Sequence, residues 1–298
     1  MKKIPEFLDE LLEKEYGNDL KNRIIEGYSN KRFVTLRVNT IKSNCSKIKE
    51  VLDNLEIKYQ EVTWYSDALI IENANENDLQ ELDIYKNGEI YLQSLSSMIP
   101  PLLLEPKKNE SILDMTAAPG GKTTQMVALS NNEALITACE KNKIRSERLK
   151  YNLLKQGANR VGVIVNDARK LDDFLSFDKI LLDAPCSGSG TLCLEDNNES
   201  FNQELVKRSS QIQFELLKKA INLLKPNHEM IYSTCSILKE ENEQILDYFI
   251  KKKLVEVIPL NNEITKELPL LPVTIPNTIC IFPTELYEGF FVAKLRKK

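Results

Sequence analysis

The chain has 298 residues, 42% of them hydrophobic and 28% charged, with a formal net charge of −4. That composition is ordinary for a folded globular protein and leaves no global basic field to draw it to nucleic acid. No apolar run approaches the roughly 20 residues needed to span a bilayer, and the charged opening MKKIPEFLDELLEKEYGN lacks the apolar core of a secretion signal.

Residues 1–30 are predicted helical, because Phe7, Leu8, Leu11 and Leu12, then Leu20, Ile24 and Ile25, recur at helical spacing. The segment Lys31–Lys49 follows, with six basic residues and no acidic one. A stripe of that kind either grips a phosphate backbone or lies on a solvated face, and the pattern alone does not choose. Short alternations come next: FVTLRV, a helix near SKIKEVLDNL, then YQEVTW, ALIIE and EIYLQ. They read as a small α+β unit ending near Gln93.

From Ser94 the rhythm changes to strands alternating with helices. SILDM, ALITACE, RVGVIVND and FDKILLDAP are predicted strands; the helix KIRSERLKYNLLKQG stops at Gly157. A long amphipathic helix, QELVKRSSQIQFELLKKAINLL, leads through an expected turn, KPNHE, to the strand MIYSTC. This order implies a Rossmann-like α/β sheet with ligands bound at the carboxyl ends of its strands.

The first such end carries DMTAAPGGKTT, which finishes like a nucleotide triphosphate loop. That loop needs a glycine where this chain has Thr116, and Pro119 removes an amide the anion would use. A nucleoside cofactor fits better, since an acidic residue about 20 positions after the glycines binds ribose hydroxyls. Glu140 stands at that interval, Asp167 ends the third strand within reach of an adenine amine, and Asp183 ends the fourth. One such carboxylate would be read as a helix cap. Three around one glycine loop suit S-adenosylmethionine, which has ribose hydroxyls, an adenine amine and no phosphate.

The six cysteines form no Cys-x-x-Cys pair, and His228 is the single histidine. No metal is expected, and a cytoplasmic protein with free thiols is. Cys186, in DAPCSGSG, and Cys235, in YSTCS, sit just past two strand ends. Beside a sulfonium methyl donor, a thiolate has a specific use. Added to carbon 6 of cytosine, it makes carbon 5 nucleophilic enough to take the methyl group. Asp183 is placed to contact the base, held protonated by burial. One of the two cysteines must be activated, because a free thiol has a pKa of about 8.5.

The stretches RVNTIK, YLQSLSSMIPPLLLEP, DMTAAPGGKTTQ, DAPCSGSGT, YSTCSILKEENEQ and EGFFVAKL resemble, in order and over most of the chain, the RsmB/Nop/Sun family of RNA (cytosine-5) methyltransferases. The resemblance implies a seven-stranded methyltransferase sheet preceded by a small RNA-recognition-like subdomain. It implies that Cys235 is the nucleophile and that Cys186 helps release the product, whereas DNA methyltransferases attack with the Pro-Cys thiol. Thr116, Ala117, Ala118, Pro119, Gly120, Gly121 and Lys122, with Glu140, Arg145, Asp167 and Asp183, would line the cofactor site. Residues 1–93 would be the RNA-binding subdomain and residues 94–298 the catalytic domain. The partner would be structured RNA, ribosomal or transfer, with no membrane or metal partner and a monomeric state. Cys193 and Cys280 depart from the family pattern, each standing where many relatives carry an arginine that tends to touch RNA.

Overall fold

The computed structural model describes residues 4–194 and 201–298. These form two compact units, one from the described residues of Met1–Arg32 and Leu182–Lys298, the other from Phe33–Leu181. The first unit opens on helix α1, Glu6–Ser29, so the predicted helix is present, its first three residues lying outside the described ones. Gly17, at φ 76°, interrupts it with a conformation other residues resist. Leu8, Leu12, Tyr16, Ile24 and Tyr28 form its buried stripe, and the Tyr28 hydroxyl donates to the Ser189 carbonyl at 2.6 Å.

The second unit begins with β1 (Val34–Val38), α2 (Cys45–Asn54), β2 (Tyr59–Glu61), β3 (Ala68–Ile71), α3 (Glu76–Glu81), α4 (Asp83–Lys86) and β4 (Ile90–Leu92). The strands pair antiparallel in the order β2-β3-β1-β4. Leu36, Val38, Ile48, Leu52, Leu69 and Ile90 pack one face into a core. The expected alternation in FVTLRV therefore holds for direction but not for exposure, because the other face is covered too. There Arg37 is fully buried, its Nε donating to Gln93 Oε1 (3.2 Å) and its Nη2 to Thr124 Oγ1 (3.1 Å).

Four of the other five basic residues of the stripe are also engaged within the protein. Lys42 donates to the carbonyls of Asn87 and Lys155, Lys47 pairs with Glu89, Lys49 with Glu61, and Arg32 reaches the carbonyls of Thr191 and Leu192. Of the two readings the stripe allowed, the phosphate grip is the one these contacts disfavour.

The second unit continues with α5 (Leu95–Leu104), β5 (Ser111–Asp114), α6 (Gly121–Leu129), β6 (Leu135–Cys139), α7 (Lys143–Lys155), β7 (Gly162–Ile164) and β8 (Phe177–Asp183), whose last two residues belong to the first unit. These strands are parallel in the order β8-β5-β6-β7, the Rossmann-like arrangement the alternation predicted. Helix α5 contains Pro100 and Pro101, normally helix breakers. Pro101 has no amide for the Ser97 carbonyl, and the Gln93 side chain donates to that carbonyl instead, at 3.1 Å.

The first unit resumes with α8 (Gln203–Leu223), β9 (Leu224–Thr234), α9 (Glu243–Lys251), β10 (Val255–Val257), α10 (Asn262–Thr265), β11 (Leu270–Leu271), β12 (Ile279–Ile281) and β13 (Phe290–Lys297). Strand β13 runs antiparallel to both β9 and β12. With β9, β13 and β12 the parallel four make the seven expected strands, and β10 and β11 are short additions. KPNHE, expected as a turn, falls inside β9. Asn227 bends it at φ 63°, so pairing with β13 begins only at Glu229. No helix among the described residues is long and apolar enough to cross a membrane.

Candidate active site

In the second unit the glycine loop lies between the end of β5 and the start of α6. Ala117 N donates to the Cys139 carbonyl (2.9 Å), which ties the loop to the end of β6. Ala118–Pro119 is a cis peptide, and Gly120 caps α6 at φ 109°, where an added Cβ would lie 3.0 Å from Leu149. A side chain there is strained on both counts. Asp114 is buried beneath the loop and accepts from Thr123 Oγ1 at 2.7 Å, while Lys122 Nζ donates to Ser97 Oγ at 2.8 Å.

Glu140 follows the last residue of β6 and is buried, with Oε1 accepting from Asn142 N at 2.7 Å. Arg145, on the first turn of α7, stands 3.7 Å from Glu140 Oε2 and donates to the Ala118 carbonyl at 2.7 Å. The predicted loop, Glu140 and Arg145 are thus brought together. Asp167 lies three residues beyond β7, which is shorter than predicted, and caps the turn Ala168–Lys170. Its carboxylate takes the Arg169 side chain at 2.6 Å, and that hydrogen bond above all holds its pKa down to about 2. Asp167 is consequently an anionic acceptor throughout the physiological range.

In the first unit Asp183 closes β8, its Oδ1 accepting from Ser233 Oγ at 2.7 Å. Ala184 N donates to the Ser233 carbonyl at 2.8 Å, which ties the start of the Cys186 loop to β9. The two half-buried cysteines meet, Sγ to Sγ, at 3.0 Å. The hydrogen bond to Cys235, followed by burial and by the charges of Cys235 and Glu241, pushes the Cys186 thiol well above the usual cysteine range. Cys186 is therefore a thiol that resists ionisation.

Other residues were not found from the sequence. Glu241, in the turn after Cys235, is fully buried and accepts from Ser187 and Ser236, the residues that follow the two cysteines. Ser233 is the partner of Asp183, and Gly190 packs so closely on Gly289 that an added Cβ would lie 1.9 Å from its carbonyl oxygen. The signal for the last pair was present in the glycines of DAPCSGSGT and EGFF; nothing local marked Glu241 among its acidic neighbours. Cys280, expected at a position that touches RNA, is instead buried in β12 beside Tyr16. His228 lies on β9 with Nδ1 3.0 Å from the Pro226 carbonyl.

A family model described as 16S rRNA methyltransferase RsmB/F matches residues 101–296, and one for the ferredoxin-like domain of RsmF/B-like methyltransferases matches residues 4–77. The chain is 32% identical to ribosomal RNA small subunit methyltransferase F of Shewanella sp. strain ANA-3, over 88% of this chain and 56% of that protein. It therefore spans little more than half the length of that curated relative. It is 34% identical to tRNA (cytosine(49)-C(5))-methyltransferase of Pyrococcus abyssi, over 88% of each chain. A crystal structure of a methyltransferase homolog from Pyrococcus horikoshii superposes with a TM-score of 0.82 at 30% identity, covering 99% of this chain and 100% of that one. The chain belongs to the RsmB/F methyltransferase family.

Proposed function

We propose that this protein is an RNA (cytosine-5) methyltransferase that moves a methyl group from S-adenosylmethionine to carbon 5 of a cytosine in structured RNA. Ribosomal RNA and tRNA are the two substrate classes, as in the names of the relatives above. Residues 1–93 serve as the RNA-binding subdomain and residues 94–298 as the catalytic domain of a cytoplasmic monomer.

The observation that carries this function is the thiol pair. Two cysteines with sulfurs 3.0 Å apart, one of them holding its proton, suit a reaction in which one sulfur adds to a ring and the other manages a proton. With Cys186 protonated, Cys235 is the sulfur left to act as nucleophile, as its Thr-Cys setting implied. Cys235 adds to carbon 6 of a flipped or unstacked cytosine. Asp183 contacts the base at ring nitrogen 3 and so supports the adduct. After methyl transfer, water takes the carbon 5 proton, the electrons of that bond restore the carbon 5–carbon 6 double bond, and Cys235 leaves carbon 6 as a thiolate that the Cys186 thiol, 3.0 Å away, assists by hydrogen bonding.

The residues of the glycine loop fit the proposed methyl donor. The buried Glu140 carboxylate is suited to a ribose diol, and the anionic Asp167 to an adenine amine. The left-handed turn at Gly120, close against the Leu149 side chain, strains any other residue placed there. Thr116 to Lys122 and Arg145 complete the group. When bound, S-adenosylmethionine supplies an electrophilic methyl group on a sulfonium; everything else falls to the protein.

The test is methyl incorporation into bulk RNA, followed by bisulfite sequencing of RNA with and without the gene. Cys235→Ala is expected to abolish incorporation. Cys186→Ala is expected to accumulate a protein–RNA adduct, seen as a slow band on a denaturing gel. An adduct in the Cys235 variant and none in the Cys186 variant would reverse the two roles.

A further inference from the structure

Glu241 is a buried carboxylate that the proposed chemistry does not use. It ends the turn Lys239–Glu241, has no exposed surface, and carries hydrogen bonds on both oxygens. Oε1 accepts from Ser187 N at 2.7 Å and from Gln213 Nε2 at 3.3 Å. Oε2 accepts from Ser187 Oγ at 2.6 Å and from Ser236 Oγ at 2.5 Å. Ser187 is bonded to Cys186 and Ser236 to Cys235, so one side chain holds the residue next to each sulfur. Gln213 Nε2 also donates to the carbonyl of Pro185, on the other side of Cys186, at 2.9 Å. The Tyr232 hydroxyl, on the strand that leads into Cys235, donates to the Glu241 carbonyl at 2.6 Å.

A buried carboxylate is costly unless its lone pairs are filled, and here they are. An arrangement kept at that cost invites the question of what the charge does. We propose that Glu241 is the positioning residue of the two-cysteine site, setting the separation of the sulfurs through Ser187 and Ser236 and disfavouring the Cys186 thiolate by its charge. Negative charge next to a thiol opposes its ionisation, and Cys186 is the thiol it faces. The titratable groups facing Cys186 are Cys235, Glu241 and Tyr232. Of these, Glu241 is the fixed one, because Cys235 changes state during the reaction.

This role deepens the function proposed above and rests on it only for its catalytic consequence; the thiol chemistry is read without any substrate. Glu241→Gln separates charge from shape. Its amide oxygen still accepts from Ser187 N, and the two serine hydroxyls can turn to accept from its amide nitrogen. The measurement is the rate of iodoacetamide alkylation of Cys186 against pH, resolved by peptide mass spectrometry on the full chain. It is made in a Cys235→Ala background, where Cys186 is the only thiol of the pair, with Cys45 as internal reference.

Adding Glu241→Gln is expected to move the Cys186 midpoint down by roughly half a pH unit or more. An unmoved midpoint in a variant that melts like its parent overturns the electrostatic half of the proposal. Should Glu241→Gln fail to fold, Ser236→Ala carries the geometric half alone. It removes the hydrogen bond to Glu241 together with those the same hydroxyl makes with Ser189 Oγ and Leu238 N, keeps the charge, and is expected to change the Cys235 alkylation rate about threefold while Cys45 is unaffected. No change there overturns that half. In methyl transfer, Glu241→Gln is expected to lower kcat about tenfold with KM for RNA held. If the unaltered protein methylates no RNA, the proposed function fails while the alkylation profiles still decide what Glu241 does.

Discussion

Glu15 faces the segment that follows Cys235: its Oε2 accepts from Lys239 N and its carbonyl from Lys239 Nζ, each at 3.1 Å. Burial raises its pKa to about 7, against the lowering effect of Lys239 and with the charges of Glu243 and Glu240 adding to the rise. The folded state therefore binds this proton more tightly than the unfolded state does. Its contribution to stability is complete below the unfolded value of 4.5 and is lost as pH rises through about 7. Glu241 and Glu243 are raised by burial and act in the same sense, whereas Asp167, held at about 2, acts oppositely and only in strong acid. Glu15→Gln is accordingly expected to flatten the fall of Tm between pH 5 and 8, by an amount on the order of 2 kcal/mol at most. An unchanged slope in a thermal melt series would remove Glu15 from this account. At this scale the sequence showed the chemically distinctive residues, Cys186, Cys235 and the strand-end carboxylates, because their types and settings are unusual. It hid Glu15 and Glu241, whose roles come from burial and not from identity.

The parallel strands and their helices were legible because short apolar runs alternate with helical period 3.6 from Ser111 to Leu223. Helix α5 was not, since Pro100–Pro101 reads locally as a break and only the side chain of Gln93, on the preceding strand exit, offsets the lost amide. Strand β9 includes KPNHE for a similar reason: the stretch bends at Asn227 but is carried into the sheet by the pairing of Glu229–Thr234 with β13. The loop after β8 depends on an equally non-local contact. Gly190 N donates to the Cys235 carbonyl at 3.0 Å, and Gly289 N donates to the Gly190 carbonyl at 2.8 Å. Since the obstacle to a Cβ at residue 190 is backbone, nothing flexible can yield. Gly190→Ala is expected to cost about 2–3 kcal/mol, seen as a lower Tm, and to alter the alkylation of Cys235. Full retention of both would mean that this contact is not tight in solution.

For the molecule as a whole, the net charge of −4 leaves the proposed RNA contact to local surfaces. Because Lys47 and Lys49 are paired with Glu89 and Glu61, Lys47→Ala and Lys49→Ala are expected to leave the salt dependence of RNA binding nearly unchanged. A phosphate contact would instead reduce that slope by about one. Composition could not reveal this, since the pairing acids lie 42 and 12 residues away, in other elements. Nor could it reveal that α1 packs with residues far along the chain: the Tyr16 hydroxyl donates to the Ile237 carbonyl, and Gly27 fits against the Pro283 carbonyl. That packing has a temporal consequence during biosynthesis. At roughly 5–20 residues per second, a ribosome takes on the order of 10–50 s to travel from the end of α1 to the close of β13. When residue 181 has been made, the segment 33–181 is complete, whereas the α1 contacts to Ser189, Ile237, Lys239 and Pro283 have yet to be synthesised. A nascent chain halted with only residues up to 181 outside the ribosome should therefore yield a protease-resistant core without α1, and a longer arrest that includes β9 to β13 should protect α1 as well.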